Sequence, residues 1–389
     1  DLPNGLIQLK NILEIYFYEM ASDALQHCKG KLKIKFIINI HEQCLKIVSA
    51  TPNNKQIFID CLDKGFRKFI KNKVVSTNTN SLKLARLLAE YTDFLLRQRN
   101  KIVEDTDFQE NINKIMIIYN YLEDKDIFEK IYNKLLAKRL VNQWHTSNDN
   151  EELVIKKLQV VHHSEHILKM QQVLQDFYLS NNITNEYQLY CKKQNFSSIR
   201  FSVMVFNSHS FSLCNSSSLT LPNKLERILN SFTEFYNCYH TGRKLICLYE
   251  YSKGEIQTLF TKEKYYLQVS TYQMTIILLF NNMSLWKVKD IEDQTEINTK
   301  LLLQILCGLL KSKLFICTEL DQNKVEEDLK ETDINTNYTI KLNDSFTSKK
   351  CRKKLNKPVE PNDTEALVKA IDRDLKVGFL SNDIDQLMQ

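Results

Sequence analysis

Apolar residues recur at three- and four-residue steps through the first half of the chain, which is the spacing of amphipathic helices. One such face carries Leu6, Leu9, Ile12, Leu13, Tyr16 and Phe17. The same spacing predicts helices over residues 34–48, 56–72, 82–98, 107–122, 125–141 and 151–178. Helices paired through polar loops are typical of bundles and helical repeats.

The pattern changes near residue 196, where short alternating runs of β-branched and aromatic residues begin. They predict strands over 200–206, 244–251, 256–260 and 265–269, with residues 252–254 as a hairpin turn. Further helices are predicted over 225–239, 270–280, 288–292 and 296–312, followed by a strand pair over 313–318 and 337–342. Three helices before a strand pair fit a winged-helix unit. A polar linker then precedes a short predicted helix over 364–375. The expected fold class is mainly α with an α+β part.

Composition narrows the class of protein. The 389 residues predict two to four domains, and seven Gly and five Pro are too few for an all-β chain. Ten Cys without a C-x-x-C pair indicate reduced, mostly buried thiols in a cytoplasmic or nuclear protein. There is no signal peptide, and the apolar stretch 272–280 is too short to span a membrane. A start at Asp1 rather than Met indicates a fragment.

Charge gives little support to nucleic-acid binding. The net charge of +6 is mild, and its densest run, 349–354, is interpreted as a solvated strand or linker, with a docking patch for an acidic partner as the alternative. The helix predicted over 296–312 is rich in Leu, with charges mainly at Lys300 and Lys311. This composition indicates a buried helix rather than a reader of DNA.

The sequence contains no recognisable catalytic or metal-binding motif. His162, His163 and His166 form the one histidine cluster, and on a single helix His162 and His166 would share a face. Zinc needs three or four convergent ligands, so a surface helix without metal is the favoured interpretation. Phosphate-binding and nucleophile motifs are absent, and Cys238, two residues before His240, is interpreted as a core residue. We therefore predict a scaffold with no catalytic centre and no cofactor.

Several longer blocks resemble the cullin family. They are YLEDKDIF (121–128), LLAKRLV (135–141), LPNKLE (221–226), FTEFY (232–236), HTGRKL (240–245), YSKGE (251–255) and LQVSTYQM (267–274). The resemblance runs from about residue 4 to 354 and is to the carboxy-terminal part of cullins, in particular of the branch in Skp–cullin–F-box ubiquitin ligases.

The resemblance implies a domain order. Residues 1–75 would end the last cullin repeat, 76–190 would form a four-helix bundle, 191–350 an α/β cullin homology domain, and 358–389 a partial winged-helix domain. It also implies a scaffold subunit of a cullin-RING ubiquitin ligase in the cytoplasm and nucleus, serving ubiquitin-dependent protein degradation. A RING-box protein would add a strand to the α/β domain and recruit the ubiquitin-conjugating enzyme. The candidate docking sheet is residues 200–206 and 245–269, with Phe201, Val203, Val205, Leu245, Leu248 and Ile256 as the docking candidates, each of which fits a core strand equally well.

The resemblance also implies a modification site. Residues 371–376 fit the family motif around the lysine that receives a ubiquitin-like modifier through an isopeptide bond (neddylation), which makes Lys376 the candidate and Lys369 the alternative. An ordinary surface lysine is the plain interpretation. Asp372 and Asp374 depart from the family pattern, as do residues 160–166 and 207–211. A degenerate cullin that cannot be modified, and a DNA-binding winged-helix protein, are the alternative functions.

Overall fold

The computed structural model describes residues 2–27, 32–49, 55–75, 80–97, 105–144, 147–194, 199–211, 218–320 and 329–355. These residues form two compact units. The first unit comprises the described residues up to 182 together with 203–211, and the second comprises 183–202 and the described residues from 218 onward. The protein is mostly helical, with two small sheets, as predicted.

The first unit is built from helices. They are α1 (Leu2–His27), α2 (Leu32–Ser49), α3 (Lys55–Val75), α4 (Asn80–Leu96), α5 (Asp105–Tyr121), α6 (Lys125–Asn142), α7 (Asn148–Val161) and the first part of α8 (Glu165–Lys193). Helix α1 packs on α3, where Phe17, Phe66 and Phe69 are almost completely buried. The predicted apolar face of α1 is confirmed only in part, because Leu9, Ile12 and Tyr16 are exposed although they recur at helical spacing.

One predicted helix is wrong. Residues 151–178 form two helices rather than one, because the chain leaves helical geometry at His162, where φ is −147° and ψ is 128°. Ser164 then accepts a hydrogen bond from the Ile167 N–H through its hydroxyl oxygen (3.3 Å) as α8 begins. Apolar residues continue at helical spacing across the break, so periodicity alone does not detect it.

The second unit joins helices to the two sheets. Its elements are the end of α8, α9 (Asn223–Tyr239), β1 (Lys253–Gln257), β2 (Tyr266–Ser270), α10 (Thr271–Leu279), β3 (Leu285–Lys287), α11 (Val288–Thr295), α12 (Thr299–Lys311), β4 (Phe315–Cys317), β5 (Thr339–Leu342) and β6 (Arg352–Lys354). One sheet has the order β1-β2-β6, with β1 antiparallel and β6 parallel to β2. The other has the antiparallel order β3-β5-β4.

The helix predicted over 296–312 is buried, as expected. Leu302, Leu306 and Leu309 of α12 are fully buried in the core of the second unit, together with Leu267 of β2 and Ile340 of β5. The predicted strand pair over 313–318 and 337–342 is confirmed as β4 and β5. Part of the basic run 349–354 forms β6, which confirms the strand interpretation for Arg352–Lys354.

Other predictions for this region are wrong. Residues 200–206 and 244–251 form no strand in the described part of the chain, and 249–251 is a short 3₁₀-helix. Residues 253 and 254 begin β1 instead of forming a hairpin turn, so the β1–β2 connection is 258–265. Cys238 is exposed rather than buried. Whether such short segments form strands depends on the elements they pair with, and strand propensity alone does not determine this.

No described helix is both long and apolar enough to cross a membrane. The predicted helix over 364–375, with Lys369 and Lys376, lies outside the described residues.

Candidate docking edges

The first candidate edge is the segment 203–207, which belongs to the first unit. The Val205 N–H donates to Ser180 Oγ (2.8 Å), and the Asn207 N–H donates to Asp176 Oδ2 (2.8 Å). Two N–H groups two residues apart therefore reach the same helix, α8, as alternate residues of an extended chain do. The acceptors lie one helical turn apart, so α8 holds the segment along one side.

On the other side of this segment lie the main-chain groups of Met204 and Phe206. In an extended chain the N–H and C=O groups of Met204 and Phe206 point away from those of Val205. Neither residue makes a main-chain hydrogen bond to any described residue. Met204 and Phe206 are half-buried, and their main-chain groups have no partner among the described residues, while α8 holds the opposite side of the segment.

A tight turn closes this edge. The Ser210 and Phe211 N–H groups both donate to the Asn207 carbonyl (3.1 and 2.9 Å), and the Phe206 and Phe211 rings stack with centroids 4.4 Å apart. The aromatic stack therefore fixes where this edge ends.

Phe201 has a different environment from Val203 and Val205. It belongs to the second unit, where its ring lies 5.8 Å from Tyr187 of α8 and 5.7 Å from Phe232 of α9. These edge-on and tilted ring contacts are core packing. The Phe201 side chain therefore packs within the second unit.

The second candidate edge is residues 244–248 in the second unit. Leu245 and Leu248 are half-buried, while the side chain between them, Ile246, is 62% exposed. The Leu248 carbonyl accepts from the Tyr251 N–H (3.2 Å), which turns the chain into β1. The segment belongs to no sheet among the described residues.

Strand β1 is the third candidate, because among the described strands it pairs with β2 alone and forms the edge of its sheet. Ile256 faces inward against the core, opposite Leu267 of β2. Its side chain is therefore occupied, and a partner could use only its main chain. Glu255 points to the other face, where it pairs with Arg352 of β6 (3.2 Å).

The exposed face of this sheet is basic. Arg352 lies over the Tyr266 ring (5.7 Å to the centroid), and Lys354 lies in register with Gln268. Burial lowers the pKa of Lys253, and the nearby Lys354 charge lowers it further. Like charges gathered on one small face favour an acidic partner over a basic one.

The six predicted docking residues are thus divided between the units. Val203 and Val205 belong to the first, while Phe201, Leu245, Leu248 and Ile256 belong to the second. Met204 and Phe206 fall within the predicted docking range 200–206, but the sequence did not indicate that their main-chain groups are the ones without a partner among the described residues. The residues of this strand-like run alternate in character, but alternation does not tell which side of the segment a helix will contact.

Comparison with known proteins gives a consistent result over nearly the whole chain. Residues 3–184 match the cullin alpha solenoid domain, and residues 204–346 match the cullin alpha+beta domain. The chain is 30% identical to Cullin-1 of Caenorhabditis elegans, with 96% of this chain and 49% of that protein covered. It is 31% identical to Cullin-1 of Schizosaccharomyces pombe, covering 100% of this chain and 51% of the relative. The chain therefore spans about half the length of the curated relatives it matches.

Proposed function

Because the chain belongs to the cullin family, we propose that it is the part of a ubiquitin-ligase scaffold that holds a RING-box protein. The RING-box protein would recruit the ubiquitin-conjugating enzyme, and the scaffold itself would carry no catalytic group. The complex would act in ubiquitin-dependent protein degradation in the cytoplasm and nucleus. The observation that carries the proposal is the open main-chain edge at Met204 and Phe206.

This edge fits a partner that adds an extended strand to it. Main-chain groups give affinity when an extended peptide pairs with them, and alternate side chains give specificity. The Ser180 and Asp176 bonds hold the segment in place before the partner arrives. Binding then costs less ordering entropy than it would for a free loop.

The test is co-purification with a tagged RING-box protein after co-expression. We expect a stable complex with the wild-type chain and with Met204→Ala, which keeps the main-chain N–H. Met204→Pro removes that donor and should weaken binding at least tenfold, since proline cannot donate to a ladder. Circular dichroism melts of both variants establish that they fold alike.

A second arm does not depend on the fold of the variants. A RING-box protein without its extended segment should fail to co-purify with the wild-type chain. Equal recovery of Met204→Pro and Met204→Ala, or full recovery of the shortened partner, would refute docking at this edge.

DNA binding by a winged-helix unit is the weaker alternative. The apolar residues of α12 are used in the core, which leaves few positions for contacts to phosphates. Duplex binding with a steep salt dependence would favour this alternative, and its absence would remove it.

A further inference from the structure

Glu129 of α6 is a carboxylate with 0% exposure in the interior of the first unit. Tyr119 donates its hydroxyl hydrogen to Oε1, and Ser164 donates to Oε2. Oε1 also lies 2.8 Å from His162 Nδ1. Burial and the neighbouring Glu129 raise the pKa of the Tyr119 hydroxyl, so it stays protonated and continues to donate.

These neutral hydroxyls do not compensate the charge of a buried carboxylate. Among the described residues, no Lys or Arg forms an ion pair with Glu129. The ammonium of the nearby Lys125 instead donates to the Leu122 carbonyl (2.8 Å) and, at 3.3 Å, to the Asn120 carbonyl. A buried charge is costly unless a counter-charge or a metal balances it. His162 is the one described side chain at ion-pair distance from Glu129, so a cation bound here would take the carboxylate and the imidazole nitrogen together as ligands.

A second carboxylate lies at the same place. Asp126 precedes Glu129 by three residues on α6, so both side chains project from one face of the helix. Ligand atoms of Asp126, Glu129 and His162 all lie within 4.8 Å of one another. Donors around a tetrahedral zinc ion at about 2 Å are roughly 3.3 Å apart, so the side chains must close by up to about 1.5 Å for one ion to contact all three.

We propose that Asp126, Glu129 and His162 form a binding site for a divalent transition-metal ion, with zinc as the best fit. One imidazole nitrogen and two carboxylates are a donor set that zinc accepts, and three protein ligands leave a position for water. Tyr119 and Ser164 orient the Glu129 carboxylate, as residues behind a metal ligand commonly do. The site joins α6 to the break between α7 and α8.

The test uses the purified chain, stripped with a chelator and dialysed, with zinc as the calorimetric probe and Co²⁺ as the spectroscopic one. We expect one equivalent of zinc to bind and to raise the melting temperature. His162→Ala and Asp126→Asn should each weaken binding at least tenfold. The matched control is His163→Ala, an exposed neighbour outside the three ligands, and it should bind as the wild type does.

Cobalt separates this site from adventitious binding by the ten cysteines. Weak d–d absorption without a thiolate charge-transfer band, lost in His162→Ala, would support the proposal. A thiolate band, unchanged affinity in His162→Ala, or an equal loss in His163→Ala would each overturn it. Melts without metal establish that the variants fold, and Asp126→Asn at an exposed position keeps the test valid if His162→Ala does not fold.

Discussion

At the scale of single residues, the interior of the first unit is organised around the fully buried Arg139. Its Nε and Nη2 atoms donate to Glu151 of α7 (both 2.8 Å), and Nη1 donates to Asp93 of α4 (2.7 Å). The guanidinium also lies 5.1 Å from the centre of the Tyr132 ring. One cation thus connects three helices through bidentate geometry that lysine does not reproduce.

Arg139→Met tests this network. We expect the free energy of unfolding to fall by about 3–5 kcal/mol, because the buried Glu151 loses its counter-charge and Asp93 keeps only its pair with Arg97. Urea denaturation followed by circular dichroism measures it. The control is Lys156→Met, whose exposed pair with Glu152 should contribute less than about 1 kcal/mol. Equal effects of the two substitutions would contradict the assignment.

His41 gives a prediction about pH. Its Nε2 lies 3.1 Å from the Tyr121 hydroxyl, which donates to Asp63 (2.5 Å), so Nε2–H is the donor to Tyr121. Burial lowers the pKa of His41 below 6.5, although the charges of Asp63 and Glu42 oppose this shift. The unfolded chain therefore binds the proton more readily than the folded one.

The stability from neutral His41 is present above pH 6.5 and is lost as the pH falls from there through the folded pKa. The loss should not exceed about 1.4 kcal/mol per pH unit for one proton. We expect His41→Gln to remove this part of the pH dependence in urea melts at pH 7.5 and 5.5. An unchanged slope in the variant would contradict it.

At the scale of elements, two helical glycines give a matched pair. A Cβ added at Gly65 of α3 would lie 2.9 Å from the Glu14 carbonyl oxygen and 3.1 Å from Phe17 Cβ, both on α1. A Cβ at Gly308 of α12 would meet no atom within 4 Å. The close approach of α1 and α3 therefore requires glycine, whereas α12 does not.

Gly65→Ala should destabilise the protein by about 1–3 kcal/mol, because the helices must move apart to admit the methyl group. Gly308→Ala should stabilise it by up to about 1 kcal/mol through helix propensity alone. Thermal and urea unfolding of both variants measure the difference. A Gly65→Ala variant that is more stable than the wild type would show that propensity, not packing, governs α3.

The elements also show where sequence reasoning succeeded. Helices α2, α3 and α12 were predicted because each buries an apolar stripe whose period identifies it. Helix α1 was predicted from the same period, although Leu9, Ile12 and Tyr16 of its apolar face are exposed. The division into α7 and α8 was missed because a three-residue break at 162–164 leaves that period intact. Residues 200–206 have strand-like composition, but a strand needs a neighbour, and α8 occupies one side of Val205 and Asn207.

At the scale of the whole molecule, the remaining question is whether the protein is switched by a modifier. Lys376 stays the predicted acceptor and Lys369 the alternative. We expect incubation with neddylation enzymes to give one adduct that Lys376→Arg abolishes and Lys369→Arg leaves intact. Mass spectrometry of the adduct locates the isopeptide bond. A wild-type chain that forms no adduct would favour the degenerate-cullin alternative.

The sequence by itself determined the helical class, the main core faces and, through local blocks of residues, the family. These follow from periodicity and short-range pattern, which are properties of contiguous segments. The tertiary structure decided which side of 203–207 is open and that Asp126, Glu129 and His162 meet. Glu129 and His162 are 33 residues apart, so their meeting depends on how α6 packs beside the end of α7. No local pattern encodes that distance.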